Sequence, residues 1–135
     1  MQFNKYKHIL TKSHPSCSHG NHSPFIAGRL SYVFDLKGPS MMVCTGCSSS
    51  LLAVHLASQA LLSNACDMAV AGGVTLDLLP VRYQDDIWHQ LGITGPSARC
   101  KPFDDNANGI CKAEGAGMVL LKRLSDAISD GDHIY

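Results

Sequence analysis

The sequence predicts an α/β fold, laid out as strand, helix, strand, loops and a third strand. Three observations predict it. Two apolar runs, S-M-M-V-C-T at 40–45 and D-M-A-V-A-G-G-V-T-L at 67–76, are short and bounded by turn residues, as buried strands are. Between them, residues 48–62 carry nine apolar residues among fifteen, spread nearly all round the helical wheel, the pattern of a helix covered on both sides. A third apolar run, G-A-G-M-V-L-L-K-R-L at 115–124, follows a loop-rich stretch. This order suits a parallel or mixed sheet with helices against it. A unit of 135 residues hides such a helix poorly, so the expectation is a piece of a larger fold.

Taken in order, residues 1–24 hold four of the seven His residues with Pro15 and Pro24 and no clear period, and read as loop or lead-in. From Phe25 to Phe34 the apolar positions fall near helical spacing, and D-L-K-G-P ends the helix. Gly38 and Pro39 turn the chain into the first predicted strand, which runs straight towards Cys47. Ser48, Ser49 and Ser50 offer capping oxygens to the long helix, and Asn64 ends it. In the second strand, Gly72 and Gly73 permit another backbone to come close. Residues 80–112 are turn-rich, with a short helix expected near Ile87. After the third strand, S-D-A-I-S-D-G-D-H-I-Y is a helical turn or two that stops at Gly131.

Composition narrows the function. Eleven Lys plus Arg balance eleven Asp plus Glu, so there is no basic field to hold nucleic acid. No run is long and apolar enough to be a signal peptide or to cross a bilayer, which points to a soluble, cytoplasmic protein with no membrane partner. The six cysteines, at 17, 44, 47, 66, 100 and 111, sit among long apolar segments unlike small disulfide scaffolds, and are expected to be reduced.

The candidate site is Cys47. A sharp passage from strand through Gly46 into a Ser-capped helix sets this thiol at a helix N-terminus, as in a nucleophile elbow. There the helix dipole and unpaired N–H groups favour the thiolate, and the same N–H groups can hold a developing oxyanion. Two other readings stay open on the residues alone. Cys47 also fits as a small buried residue filling a turn. Cys44-Thr-Gly-Cys47 is moreover a C-x-x-C, compatible with redox chemistry or half a zinc site; Cys17, His19 and His22 are the nearest further ligands, at spacings unlike finger patterns.

At G-P-S-M-M-V-C-T-G-C-S-S-S-L-L-A-V-H-L-A, residues 38–57, the sequence resembles the active-site stretch of β-ketoacyl synthases, specifically the ketosynthase domains of modular polyketide synthases. The likeness extends to A-G-R-L-S-Y at 27–32, A-V-A-G-G-V at 69–74, C-K-P-F-D at 100–104 and E-G-A-G-M-V-L-L-K-R-L at 114–124. It implies a thiolase-like αβαβα fold of which this chain is an incomplete first half, with 1–16 an unassigned lead-in and 17–135 the partial domain. It also implies a catalytic Cys47 that takes an acyl chain from the phosphopantetheine arm of an acyl carrier protein. Decarboxylative Claisen condensation with a malonyl-type extender then follows, in polyketide or fatty acid chain elongation. No cofactor or metal is expected to bind directly, and the complete domain is expected to be a homodimer.

The resemblance further implies two catalytic His residues, the first in an H-G-T-G-T context that does not occur here. His8, His14, His19, His22, His55, His89 and His133 match neither position, and His55 is expected to be a hydrogen-bonded core residue of the long helix. The chain alone is therefore expected to self-acylate at most, and an inactive fragment is the alternative. One departure stands out: Cys44 occupies a position where most of these ketosynthases have Asp, and Gly46 one where Ala or Met is frequent. The two thiols are expected to be able to form a disulfide that silences the site. Elsewhere, E-G-A-G at 114–117 lacks phosphate-loop spacing and is expected to serve close strand packing, and the Asp85-Asp86 and Asp104-Asp105 pairs to solvate loops and cap turns.

Overall fold

A computed structural model describes residues 22–76, 88–96 and 99–135 of the chain. Its elements are α1 (Pro24–Val33), α2 (Ser49–Leu62), β1 (Met68–Thr75), β2 (Gly115–Lys122) and α3 (Leu124–Asp130), with β1 and β2 hydrogen-bonded in a two-stranded sheet. The chain divides into two units, one made of the residues up to Ala71 together with Leu120–Tyr135, the other of Gly72–Val119.

The three helices among the described residues end in the same way. A residue in the left-handed region follows each: Asp35 (φ 53°), Asn64 (φ 57°) and Gly131 (φ 72°). Each then returns its N–H, and that of the next residue, to the last turn. Asp35 and Leu36 bond to the carbonyls of Tyr32 (3.4 Å) and Ser31 (2.8 Å), and Asn64 and Ala65 to those of Leu61 (3.2 Å) and Ala60 (2.9 Å). Gly131 and Asp132 bond to those of Ile128 (3.2 Å) and Ala127 (2.9 Å). These paired bonds close the helix on its own orphan carbonyls, and short polar residues or Gly tolerate the required backbone. Pro24, whose missing N–H is no loss in the first turn, opens α1.

The unit holding α2 and α3 is joined by Arg123. Its guanidinium donates to the carbonyls of Leu61 (3.2 Å) and Cys66 (2.9 Å) at the end of α2, and to the carboxylates of Asp67 (2.5 Å) and Asp126 (2.6 Å). Among the described residues, Leu61, Ala71 and Ala127 are the buried apolar ones. Lys122 pairs with Asp130 and with Asp132 (2.7 Å), tying the end of β2 to the turn after α3. These partners hold the Lys122 ammonium above its ordinary value, through the hydrogen bond to Asp130 first and that to Asp132 next. The Asp126 carboxyl lies below its ordinary value, chiefly through the hydrogen bond from Arg123.

In the other unit, Gly72 meets the opposing strand so closely that a Cβ there would lie 2.1 Å from the Gly117 carbonyl oxygen and 2.5 Å from the Met118 sulfur. The expectation of close backbone approach is met at Gly72, and the E-G-A-G glycines serve a strand. Thr94 bridges Ile110, Lys112 stands 5.2 Å from the centre of the Trp88 ring, and the Cys111 N–H donates to the Cys100 sulfur (3.2 Å). Asp104 caps its turn as expected, accepting from the Asn106 N–H (2.7 Å). The predicted helix near Ile87 and the Asp85-Asp86 pair lie outside the described residues, as do Cys17 and His19.

Three expectations are corrected. Residues 40–45 do not form a strand; the segment is extended coil as far as an isolated bridge at Thr45, because none of the described strands pairs with it. The long helix forms where expected but is not buried: Leu61 alone of its residues is buried, and Leu51 and Leu62 are each 73% exposed. His55, expected in a core, is exposed for the same reason.

Candidate functional site at the start of α2

The turn ahead of α2 is built from Thr45, Gly46, Cys47, Ser48 and Ser49, four small polar positions with a glycine among them. Gly46 adopts φ 66°, a conformation that an L side chain resists, and a Cβ there would meet no atom within 4 Å. The bend therefore calls for glycine on backbone grounds, and the space beside it stays open. Thr45 donates its N–H to the Ser49 hydroxyl (2.8 Å), and its own hydroxyl pairs with that of Ser48 (2.8 Å). Ser48 in turn donates to the Thr45 carbonyl (2.9 Å), Ser49 donates its hydroxyl to the Gly46 carbonyl (2.6 Å), and the Ser49 N–H points to that same carbonyl (3.2 Å).

These bonds correct the expected capping. Ser48 is the N-cap of α2 but makes no side-chain cap bond; the serine hydroxyls turn back to fasten the preceding loop. The energetic consequence is local. Helix N–H groups that a capping oxygen would otherwise take are left for a bound group, while the loop is held by five neutral hydrogen bonds, each contributing about 1 kcal/mol net. Sequence reading found these serines from their position before an apolar run, and assigned their hydroxyls to the wrong partners.

Cys47 lies between this bend and the N-cap, and it is exposed, not packed into the turn. Cys44 is exposed as well, and both are free thiols. Among the described residues no three His, Cys, Asp or Glu side chains gather as a metal site would require. His89 reaches the Thr94 carbonyl (3.0 Å) and His133 packs edge-on to Tyr135, so neither contributes to the turn that holds Cys47. Arg123 was not singled out by sequence reading. It fixes the far end of the helix that begins after Cys47, and since its partners lie 57 and 62 residues away, no local pattern signals it.

Residues 2–127 match the family model described as "Beta-ketoacyl synthase, N-terminal domain". The chain belongs to the β-ketoacyl synthase family. It is 44% identical over 132 residues to the polyketide synthase PksL of Bacillus subtilis, a match that takes in 98% of this chain and 3% of that protein. It is 49% identical over 115 residues to the non-reducing polyketide synthase pkdA of Emericella nidulans, covering 85% of this chain and 5% of the relative. Among solved structures, the ketosynthase from module 6 of the Bacillus subtilis bacillaene synthase superposes with a TM-score of 0.81 at 43% identity, covering all of this chain and 23% of that one. An oxazolomycin ketosynthase domain from Streptomyces albus gives a TM-score of 0.77 at 43% identity, over 83% of this chain and 20% of its own. The fold is thus the N-terminal part of the thiolase-like ketosynthase architecture, and the chain spans under a quarter of each of these relatives. Among the described residues of this β-ketoacyl synthase segment, no helix is long and apolar enough to cross a membrane.

Proposed function

We propose that Cys47 is the acyl-accepting nucleophile of a ketosynthase that elongates a polyketide or related fatty acyl chain. The observation that carries this reading is an exposed thiol set between a left-handed glycine bend and the N-cap of a helix, inside a segment of the β-ketoacyl synthase family. The Cys47 sulfur attacks the thioester carbonyl of an acyl chain borne on the phosphopantetheine arm of an acyl carrier protein. The new C–S bond forms as the carrier thiol leaves, and the Cys47 backbone N–H donates to the oxygen that carries the charge between those events. The carrier arm is a substrate here, and no cofactor or metal takes part in the transfer. Decarboxylation of the extender and the Claisen step require donors beyond this segment, so the chain alone acylates and does not condense. The complete domain acts as a homodimer in the cytoplasm.

A specific observation favours a second reading, that the chain by itself is inactive. Large apolar side chains are exposed on and beside the described elements, among them Phe34, Leu51, Leu62, Leu120 and Ile128, each at least 65% exposed. Such surface drives association with further chain or with other copies.

Incubation with an acyl thioester followed by intact-mass measurement tests the nucleophile. The wild-type chain gains one acyl mass and Cys47→Ala gains none. A Cys47→Ala protein that still acquires the acyl mass would falsify the assignment, and a wild-type chain that stays unmodified supports the inactive fragment.

A further inference from the structure

We propose that Cys44 and Cys47 form a reversible disulfide that closes the acyl-accepting site under oxidising conditions. The regulatory meaning of this bond rests on the reading of Cys47 as the acyl acceptor; the bond itself rests on geometry. Both thiols are free and exposed, so an oxidant reaches either of them. Two residues separate the pair, a span of at most about 11 Å when fully extended. Here the span is bent. Gly46 takes a left-handed conformation, and the Thr45 N–H, bonded directly to the carbonyl carbon of Cys44, reaches the Ser49 hydroxyl at 2.8 Å. The Cys44 end of the loop is thereby drawn over the first turn of α2, beside which Cys47 sits. A disulfide accepts a Cα separation of about 4.4–6.8 Å, which a bent span of this length can reach and an extended one cannot. A Cβ at Gly46 would meet no atom within 4 Å outside its chain neighbours, so no packed group stands on that side of the bend.

The step balances with a low-molecular-weight disulfide as oxidant. The Cys47 thiolate attacks one sulfur of that disulfide, an S–S bond forms to Cys47, and one small thiolate leaves. Cys44 then gives up its proton and attacks the Cys47 sulfur, displacing the second small thiolate. Two protein thiols are oxidised and one external disulfide is reduced to two thiols. A dithiol reductant reverses both exchanges. With its sulfur bound to Cys44, Cys47 has no lone thiolate to accept an acyl group, and it is protected from further oxidation that could not be reversed.

The experiment equilibrates the chain in glutathione buffers of increasing oxidised fraction, alkylates the remaining thiols and maps the peptide that holds residues 44 and 47 by mass. Cys44→Ser and Cys44→Asp are run alongside; the Asp variant keeps a polar side chain at the position should Ser disturb the turn. The expected result is that Cys47 alkylation in the wild type falls at least about tenfold across the series. The peptide loses the mass of two hydrogens and labelling returns with reductant, while both variants stay alkylated or carry glutathione. Full alkylation of wild-type Cys47 in the most oxidising buffer overturns the proposal, as does protection of wild-type Cys47 only as a glutathione adduct. Alkylation involves no acyl donor, so the two readings fail separately. A reduced chain that accepts no acyl group contradicts the assignment of Cys47, whereas one that acylates yet never forms the internal disulfide contradicts the switch alone.

Discussion

The two ends of α2 are held by different chemistry. At its C-terminus, the Asn64 turn returns two N–H groups to the last carbonyls, and the Arg123 guanidinium donates to Leu61 and Cys66 with Asp67 and Asp126 balancing its charge. At its N-terminus, neutral hydroxyls and a glycine bend hold the loop, and Cys47 stands exposed. A helix end that serves as scaffold satisfies its own orphan groups; one that serves as a site leaves them for a ligand. Charge at the closed end and neutrality at the open end let the same helix do both.

The largest effect expected from breaking this contrast is at Cys47, whose replacement by Ala removes all acyl transfer while leaving the helix, since the thiol is exposed and lies ahead of the helix. Arg123→Ala attacks the opposite end. It removes the guanidinium donor from the Leu61 and Cys66 carbonyls and from the Asp67 and Asp126 carboxylates, so the thermal midpoint falls clearly. Circular dichroism should also show helix loss, whereas alkylation of Cys47 in the fraction still folded proceeds at the wild-type rate. Gly72→Val is expected to destabilise by about 1–3 kcal/mol or more in denaturant unfolding, because the added carbons would overlap the Gly117 carbonyl. Gly46→Ala has no atom to collide with, and costs only the left-handed backbone, about 1–2 kcal/mol.

The smallest effect is a pH dependence confined to the charged end. The Asp126 carboxyl is held below its ordinary 3.8 by Arg123, so its stabilisation is complete above that value and is lost as pH falls through the lower folded value. The Lys122 ammonium is held above 10.5 by Asp130 and Asp132, so its contribution is complete below 10.5 and is lost as pH rises through the folded value. Stability against pH should therefore show a plateau between the two, with an acid arm that Asp126→Asn flattens. The hydroxyl-held turn around Thr45 and Ser49 contributes no arm, and an acid arm unchanged in Asp126→Asn would place the titrating group elsewhere.

Much of this contrast was legible in the sequence at short range and little at long range. Asp35, Asn64 and Gly131 were readable as helix stops because the left-handed turn needs such residues within a few positions of an apolar period. β1 and β2 were readable because short apolar runs flanked by turns have few other uses. The family and the place of Cys47 were readable because G-P-S-M-M-V-C-T-G-C-S-S-S-L-L-A carries many positions at fixed spacing. The Arg123 node was not, since its partners are distant in sequence and an Arg after a strand has no local signature. Residues 40–45 misled because their apolar run signals capacity to pair, while a strand exists only where a partner edge lies alongside. His55 and α2 misled in the same way, as an apolar wheel reports what a helix can bury and not what covers it.

The central claim is that the open end of α2 makes Cys47 the acyl acceptor, and the most direct test is to map the acyl group after reaction with an acyl chain carried on an acyl carrier protein. The account predicts a single thioester on the peptide bearing Cys47, released by hydroxylamine, with Cys17, Cys44, Cys66, Cys100 and Cys111 unmodified. Acylation spread evenly over the cysteines, or found on another residue with Cys47 free, would contradict it.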